Sequence, residues 1–308
     1  MKLLIGYDGS ESADASLAEL TRAGLDKNVE ALILVDEVWL PSSPTEFSRA
    51  VSARRMLAAE SYSFVPALRA VEEGRALSRQ ALRRARSLFP DWDLRVDVSH
   101  GVGSPASELV RKAASWEADL IVIGSDSGHM PQAGFGGEAL RKVIADAPCS
   151  VRLARTKSRA ARGPVRLLVA ANGTSQVMSA ARAIAAREWP EGSECRFVET
   201  SESIGASAAL AAATLRASGL RVSVVEGNGP LHKAVMEEAH DWEADCVFVG
   251  ADENESLIGT GESARLAATL ALSSSCSVEL SRAVKREPER QYLAVNLRLQ
   301  QEIRDESY

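Results

Sequence analysis

Trp116-Glu-Ala-Asp-Leu120-Ile-Val-Ile123-Gly124-Ser-Asp126 returns, shifted by 126 residues, as Trp242-Glu-Ala-Asp-Cys246-Val-Phe-Val249-Gly250-Ala-Asp252. Each copy follows a helix-like segment, continues as a four-residue apolar run, and ends at a glycine that lets the backbone turn sharply. A helix feeding a short, fully apolar strand is the pattern of an α/β unit built on a parallel sheet. Repetition at a fixed interval makes the chain a tandem of two such units. In open sheets of this kind ligands lie beyond the carboxyl ends of the strands, so Gly124 and Gly250 mark where function should be sought.

Working outward from the first copy, a strand is expected over residues 2–7, then the Asp8-Gly9-Ser10 turn and a helix capped by Ser10 or Ser12 with Ala15, Leu17, Leu20 and Ala23 inward. A second strand covers 31–35. Residues 41–90 form an excursion, in which 64–88 is a long helix with an arginine-rich outer face and Leu68, Val71, Ala76, Leu77, Ala81, Leu82, Ala85 and Leu88 inward. A strand over 94–98, a helix opened by Gly103-Ser104-Pro105 with Leu109, Val110, Ala113 and Ala114 inward, the strand at Leu120, a helix from Gly137 to Ala145 and a strand at 149–153 complete the first unit. The second repeats the order: strand 165–170, helix to Trp189, strand 196–199, helix 206–217, strand 220–225, helix to Trp242, strand to Gly250, and strand 276–280. The expected units are 1–156 and 164–282, joined by a basic linker at 157–163 and followed by a charged tail at 283–308.

The 308 residues carry a net charge of −6 and only 5% aromatics, the composition of an ordinary globular protein rather than a disordered or fibrous one. An acidic chain has no general attraction for phosphate backbones or anionic lipid, so neither nucleic acid nor membrane is expected as a partner. No run is long enough for a signal-peptide core or a membrane span, which points to the cytoplasm. Cys149, Cys195, Cys246 and Cys276 have no CxxC spacing and read as buried thiols, with no metal site.

In order, and twice over, these features resemble the universal stress protein family: Tyr7-Asp8-Gly9-Ser10 after the first strand, Gly103-Ser-Pro-Ala106, Ala118-Asp119-Leu-Ile-Val-Ile-Gly124-Ser125, and Ala147-Pro148-Cys149-Ser-Val. The resemblance implies two Rossmann-like domains of the adenine nucleotide α-hydrolase type. Each would have a five-stranded parallel sheet ordered 3-2-1-4-5 with helices on both faces. It further implies pairing of the domains through their fifth strands, or a homodimer, and a site for ATP or AMP in the members that bind it.

Carried onto this chain, the resemblance places Tyr7, Asp8 and Val35 on the nucleoside side and Ile123, Gly124, Ser125, Ser127, Gly128, Gly136 and Gly137 around the phosphates. Glycines there would let backbone N–H groups approach phosphate, with a helix start adding positive dipole. The chain departs from the family pattern where Ser127 replaces the second glycine and Glu138 replaces a hydroxyl. In the second domain Asn172 replaces the aspartate, and Asp252, Glu253, Glu255 and Glu262 crowd the phosphate side. A carboxylate about 4 Å from a phosphate repels it by roughly 4 kcal/mol at an effective dielectric of 20, more than one charge-assisted hydrogen bond of about 1.5–3 kcal/mol returns. Nucleotide is therefore expected in the first domain only.

No catalytic residue is identified. His100, His129, His232 and His240 have no triad or H-x-x-x-H spacing, and no P-loop lysine or nucleophile elbow occurs. The leading expectation is a non-catalytic stress-response protein with a degenerate adenine-nucleotide site. The alternatives are a nucleotide-free scaffold on the same fold and a weak metal-dependent nucleotidase using Asp126.

Overall fold

The computed structural model describes residues 1–36, 64–99, 104–124, 137–155, 163–201, 206–252 and 261–282. Residues 41–63 of the excursion, residues 157–162 of the linker and the tail at 283–308 lie outside the described residues.

Among the described residues, ten strands form one sheet. The first half contributes β1 (Lys2–Gly6), β2 (Glu30–Asp36), β3 (Asp93–Ser99), β4 (Leu120–Gly124) and β5 (Ser150–Ala154). The second contributes β6 (Arg166–Ala170), β7 (Glu194–Glu199), β8 (Arg221–Glu226), β9 (Cys246–Gly250) and β10 (Ser277–Ser281). The spatial order is β3-β2-β1-β4-β5-β10-β9-β6-β7-β8. Each half is thus parallel and ordered 3-2-1-4-5, the expected topology, and the chain is an α/β protein. The two halves meet where β5 and β10 run antiparallel, with Arg152 opposite Glu279.

Eight helices are described: α1 (Glu11–Leu20), α2 (Phe64–Leu88), α3 (Pro105–Trp116), α4 (Gly137–Asp146), α5 (Thr174–Ala185), α6 (Ala206–Ala217), α7 (Leu231–Asp241) and α8 (Glu262–Ser273). Because successive strand residues point to opposite faces, the core divides by face. Leu4, Ile121, Ile123, Leu168, Val247 and Val249 lie under α3, α4, α7 and α8 in one core that runs across both halves. On the other face, Leu3, Ile5, Leu120 and Val122 pack with α1 and α2, and Leu167, Val169 and Phe248 pack with α5 and α6, as two separate cores.

The repeated Trp-Glu-Ala-Asp stretch ties helix to strand identically in both halves. Glu117 and Glu243 take left-handed φ values of 54° and 51°, reversing the chain after α3 and α7. Asp119 and Asp245 then accept the first N–H of the neighbouring strand, from Lys2 at 2.7 Å and Arg166 at 2.9 Å. Lys2 and Arg166 also donate to the Trp116 and Trp242 carbonyls and lie over the corresponding indoles. The motif read as a fold signature is a set of backbone caps and stacked cations.

Several helix faces differ from expectation. Ala76 and Ala114 are exposed, while Gly74 and Ala106 are buried, because alanine and glycine fit either face and the larger Leu77 and Leu109 set the rotation. On α1, Ala13 and Ser16 are buried and Ala15 is only half-buried. Helix α5 stops at Ala185 rather than Trp189, since the Trp189 indole N–H folds back onto the Ile184 carbonyl at 2.8 Å. The four cysteines are buried thiols that form no disulfide. Burial raises the Cys149 thiol to about 12, with Asp119 adding to the shift, and raises those of Cys195 and Cys246 as well.

Candidate functional site

The parallel register brings Tyr7, Asp8, Val35, Ile123 and Gly124 together at the carboxyl ends of β1, β2 and β4: Gly6 pairs with Leu34 on one side and with Ile123 on the other. Ser125, Ser127, Gly128 and Gly136 lie outside the described residues. Gly137 opens α4, where an added Cβ would stand 3.4 Å from Leu272 of α8 in the second half.

The described residues at these strand ends already have work within the fold. Ser10 caps α1 by accepting from the Ala13 N–H at 3.1 Å. Asp8, itself buried, steadies that cap by accepting from the Ser10 N–H at 3.0 Å and the Ser10 hydroxyl at 2.5 Å. Both bonds fall on Oδ1, and Oδ2 carries no hydrogen bond among the described residues. Tyr7 turns away from the strand ends into the α1–α2 core and donates to Asp14 at 2.6 Å. Burial and the Asp14 carboxylate push its phenol well above the ordinary range. Val35 lies on that same face and Ile123 on the opposite one, both buried.

Gly124 has a packing cause the sequence did not reveal. A Cβ there would stand 2.2 Å from the Ser12 carbonyl oxygen, so only glycine lets the first turn of α1 lie against the end of β4. The same requirement recurs at Gly250, where a Cβ would stand 1.7 Å from the Gln176 carbonyl oxygen of α5. A glycine at this position is demanded by helix approach in both halves, and by itself it does not point to phosphate.

The corresponding strand ends of the second half are laced shut. Asn172 donates from Nδ2 to the Gly250 carbonyl at 3.3 Å and to the Ser263 hydroxyl at 3.1 Å, joining the end of β6 to the end of β9 and the start of α8. Ser175 in the first turn of α5 donates to Asp252 at 2.8 Å, just past β9. Side chains and an acidic group thus occupy the ground that the first half leaves to Asp8 and Gly124. Among the described residues, no group of three or more His, Cys, Asp or Glu side chains is placed to hold a metal ion. No helix among them is long and apolar enough to cross a membrane.

Sequence reasoning passed over a charged cluster beneath β5 and β10. Arg152, only 1% exposed, donates from Nε to Glu19 at 3.0 Å and from Nη1 to Glu279 at 2.8 Å, and Arg187 donates to the same Glu279 at 3.0 Å. Burial pushes the Glu279 carboxyl up, but Arg187 and Arg152 together more than reverse it and hold it below its ordinary value. The available signal was a pair of opposite charges at matching positions of two otherwise apolar strands, Ser-Val-Arg152-Leu and Ser-Val-Glu279-Leu.

The model of the universal stress protein family matches residues 1–155. A curated universal stress protein of Methanocaldococcus jannaschii is 26% identical over 152 residues, covering 49% of this chain and 79% of its own. Among solved structures, a universal stress protein from Archaeoglobus fulgidus DSM 4304 aligns over 93% of this chain and 97% of its own, at 16% identity and a TM-score of 0.60. A shorter universal stress protein from Archaeoglobus fulgidus, solved in complex with dAMP, covers 49% of this chain and 94% of its own at 18% identity and a TM-score of 0.32. With the family model matched across half its length, and the family's sheet order present in both halves, the chain belongs to the universal stress protein family.

Proposed function

We propose that this chain is a non-catalytic, cytoplasmic stress-response protein made of two units, 1–156 and 164–282, with one adenine-nucleotide site in the first. The site is formed by Asp8, Val35, Ile123 and Gly124 at the ends of β1, β2 and β4, with Ser125, Ser127, Gly128, Gly136 and Gly137 on the phosphate side. ATP or AMP is the ligand.

The observation that carries this reading is the difference between the two sets of strand ends. Asp8 keeps one carboxylate oxygen without a hydrogen bond among the described residues, whereas Asn172 and Ser175 close the matching space with bonds to Gly250, Ser263 and Asp252. A carboxylate with a free oxygen can accept from a nucleoside hydroxyl. Asn172 commits its amide N–H groups to two strand ends and a helix start, its remaining acceptor Oδ1 is an uncharged oxygen buried beneath them, and the nearby acids repel phosphate.

Calorimetric titration with ATP and AMP, in the presence and absence of Mg²⁺, tests the proposal. Saturable binding abolished by Asp8→Ala is expected, with no phosphate released from ATP. Absence of binding at millimolar nucleotide would leave the nucleotide-free scaffold as the better account, a reading favoured by the packing cause of Gly124. Metal-dependent phosphate release lost on Asp126→Ala would favour the nucleotidase.

A further inference from the structure

The β5 and β10 edges are near copies of each other: Cys149-Ser-Val-Arg152-Leu-Ala-Arg155 against Cys276-Ser-Val-Glu279-Leu-Ser-Arg282. They meet about a local two-fold axis. Val151 pairs with Leu280, and Leu153 with Val278, so the axis passes between Arg152 and Glu279. The flanking contacts obey it. The Arg155 N–H donates to the Ser277 hydroxyl at 3.0 Å, and the Arg282 N–H donates to the Ser150 hydroxyl at 3.0 Å. Arg155 reaches the Ala271 carbonyl, and Arg282 reaches the Ile144 carbonyl at 3.0 Å, the matching positions of α8 and α4.

Charge breaks the symmetry at the axis itself. Running across it, the buried groups alternate as Glu19, Arg152, Glu279 and Arg187, each hydrogen-bonded to the next. The outer members are not inherited from the repeat. Helices α1 and α5 correspond with Ser12 matching Gln176, as their contacts with Gly124 and Gly250 require, which places Ala183 at the position of Glu19 and Ala23 at that of Arg187. Each half therefore carries its own counter-charge, and the two halves carry opposite signs at the axis.

We infer that the fifth-strand edge of the first half is built to accept the second half and to reject its own kind. Joining Arg152 to Glu279 is the one arrangement in which every buried charge at the axis faces an opposite one. The same backbone contacts would serve a pairing of β5 with another β5 or of β10 with another β10, because the serine and arginine contacts are common to both edges. Such a pairing sets Arg152 against Arg152, or Glu279 against Glu279, in a place without solvent to screen them. Like charges directly opposite across two strands are unfavourable, and burial makes the conflict severe. Discrimination here comes from the repulsion built against the wrong partner. The partner this edge fits is the other half of the same chain or, by exchange, the second half of another copy.

The test reverses one half at a time while keeping its internal pair. Glu19→Arg with Arg152→Glu places two acids at the axis; Arg187→Glu with Glu279→Arg places two arginines there. Each double variant is expected to melt about 10 °C below the wild type and to lose the closed monomer by light scattering. Combining all four substitutions restores opposition at the axis, and is expected to recover the monomer and most of the melting temperature. Refolding the two double variants together should give a 1:1 complex of two chains. A double variant that keeps the wild-type mass and melts within about 3 °C of the wild type overturns the inference. So does a fourfold variant as unstable as its parents, since that would make the cluster a matter of shape and not of sign.

Discussion

The ends of β1 and β6 are equivalent places in two halves with one strand order, and they are finished differently. In the first half a buried carboxylate braces the cap of α1 and keeps an oxygen to spare. In the second an amide stitches β6 to β9 and α8. The backbone below is alike to the point that both halves need glycine where the first helix crosses the fourth strand. The comparison teaches that the shared glycine belongs to the scaffold. Whatever distinguishes the halves in function lies in the side chains above it.

The strongest way to break this comparison is at the shared glycine. Gly250→Ala drives a Cβ into the α5 backbone and should cost about 3 kcal/mol or more in urea unfolding, with Gly124→Ala a similar loss. A Gly124→Ala chain of undiminished stability that failed only in nucleotide binding would show that the two glycines are not doing the same thing.

Next in size is Arg187→Met. It leaves Glu279 with Arg152 as its one remaining arginine partner and should cost about 3 kcal/mol near neutral pH. Because the folded-state carboxyl of Glu279 lies below its ordinary value, its contribution is present above the unfolded-state pKa and is lost as pH falls through the folded one. The wild type should therefore lose stability as pH drops below the usual carboxylate range. Arg187→Met should show a flatter acid limb in the same range, read from unfolding midpoints across pH.

The smallest effect sharpens the contrast directly. Asn172→Ala removes two hydrogen bonds from the second half and should cost about 1–2 kcal/mol by thermal unfolding, without changing the number of nucleotides bound.

How much of this was legible beforehand divides along physical lines. The ten strands could be read because buried parallel strands are continuous apolar runs and the Trp116 and Trp242 stretches repeat them, whereas their order in the sheet came only from the resemblance to the universal stress protein family. Helix rotation was legible where leucine fixed it and not where alanine did, which is why Ala76 and Ala114 were misplaced. Gly124 shows a deeper limit: a glycine that admits a helix and a glycine that admits a phosphate are the same letter, and only the distance to Ser12 separates them. The charges at the β5–β10 axis went unread because an isolated arginine in a strand looks like an edge residue until its opposite is found 127 positions away in Glu279.

The central claim, that equivalent strand ends have been left open in one half and closed in the other, is tested most directly by counting. Equilibrium dialysis of the full chain against labelled ATP should give one equivalent per chain, reduced to none by Asp8→Ala and unchanged by Asn172→Ala. Two equivalents, or one that survives Asp8→Ala and disappears with Asn172→Ala, would contradict it.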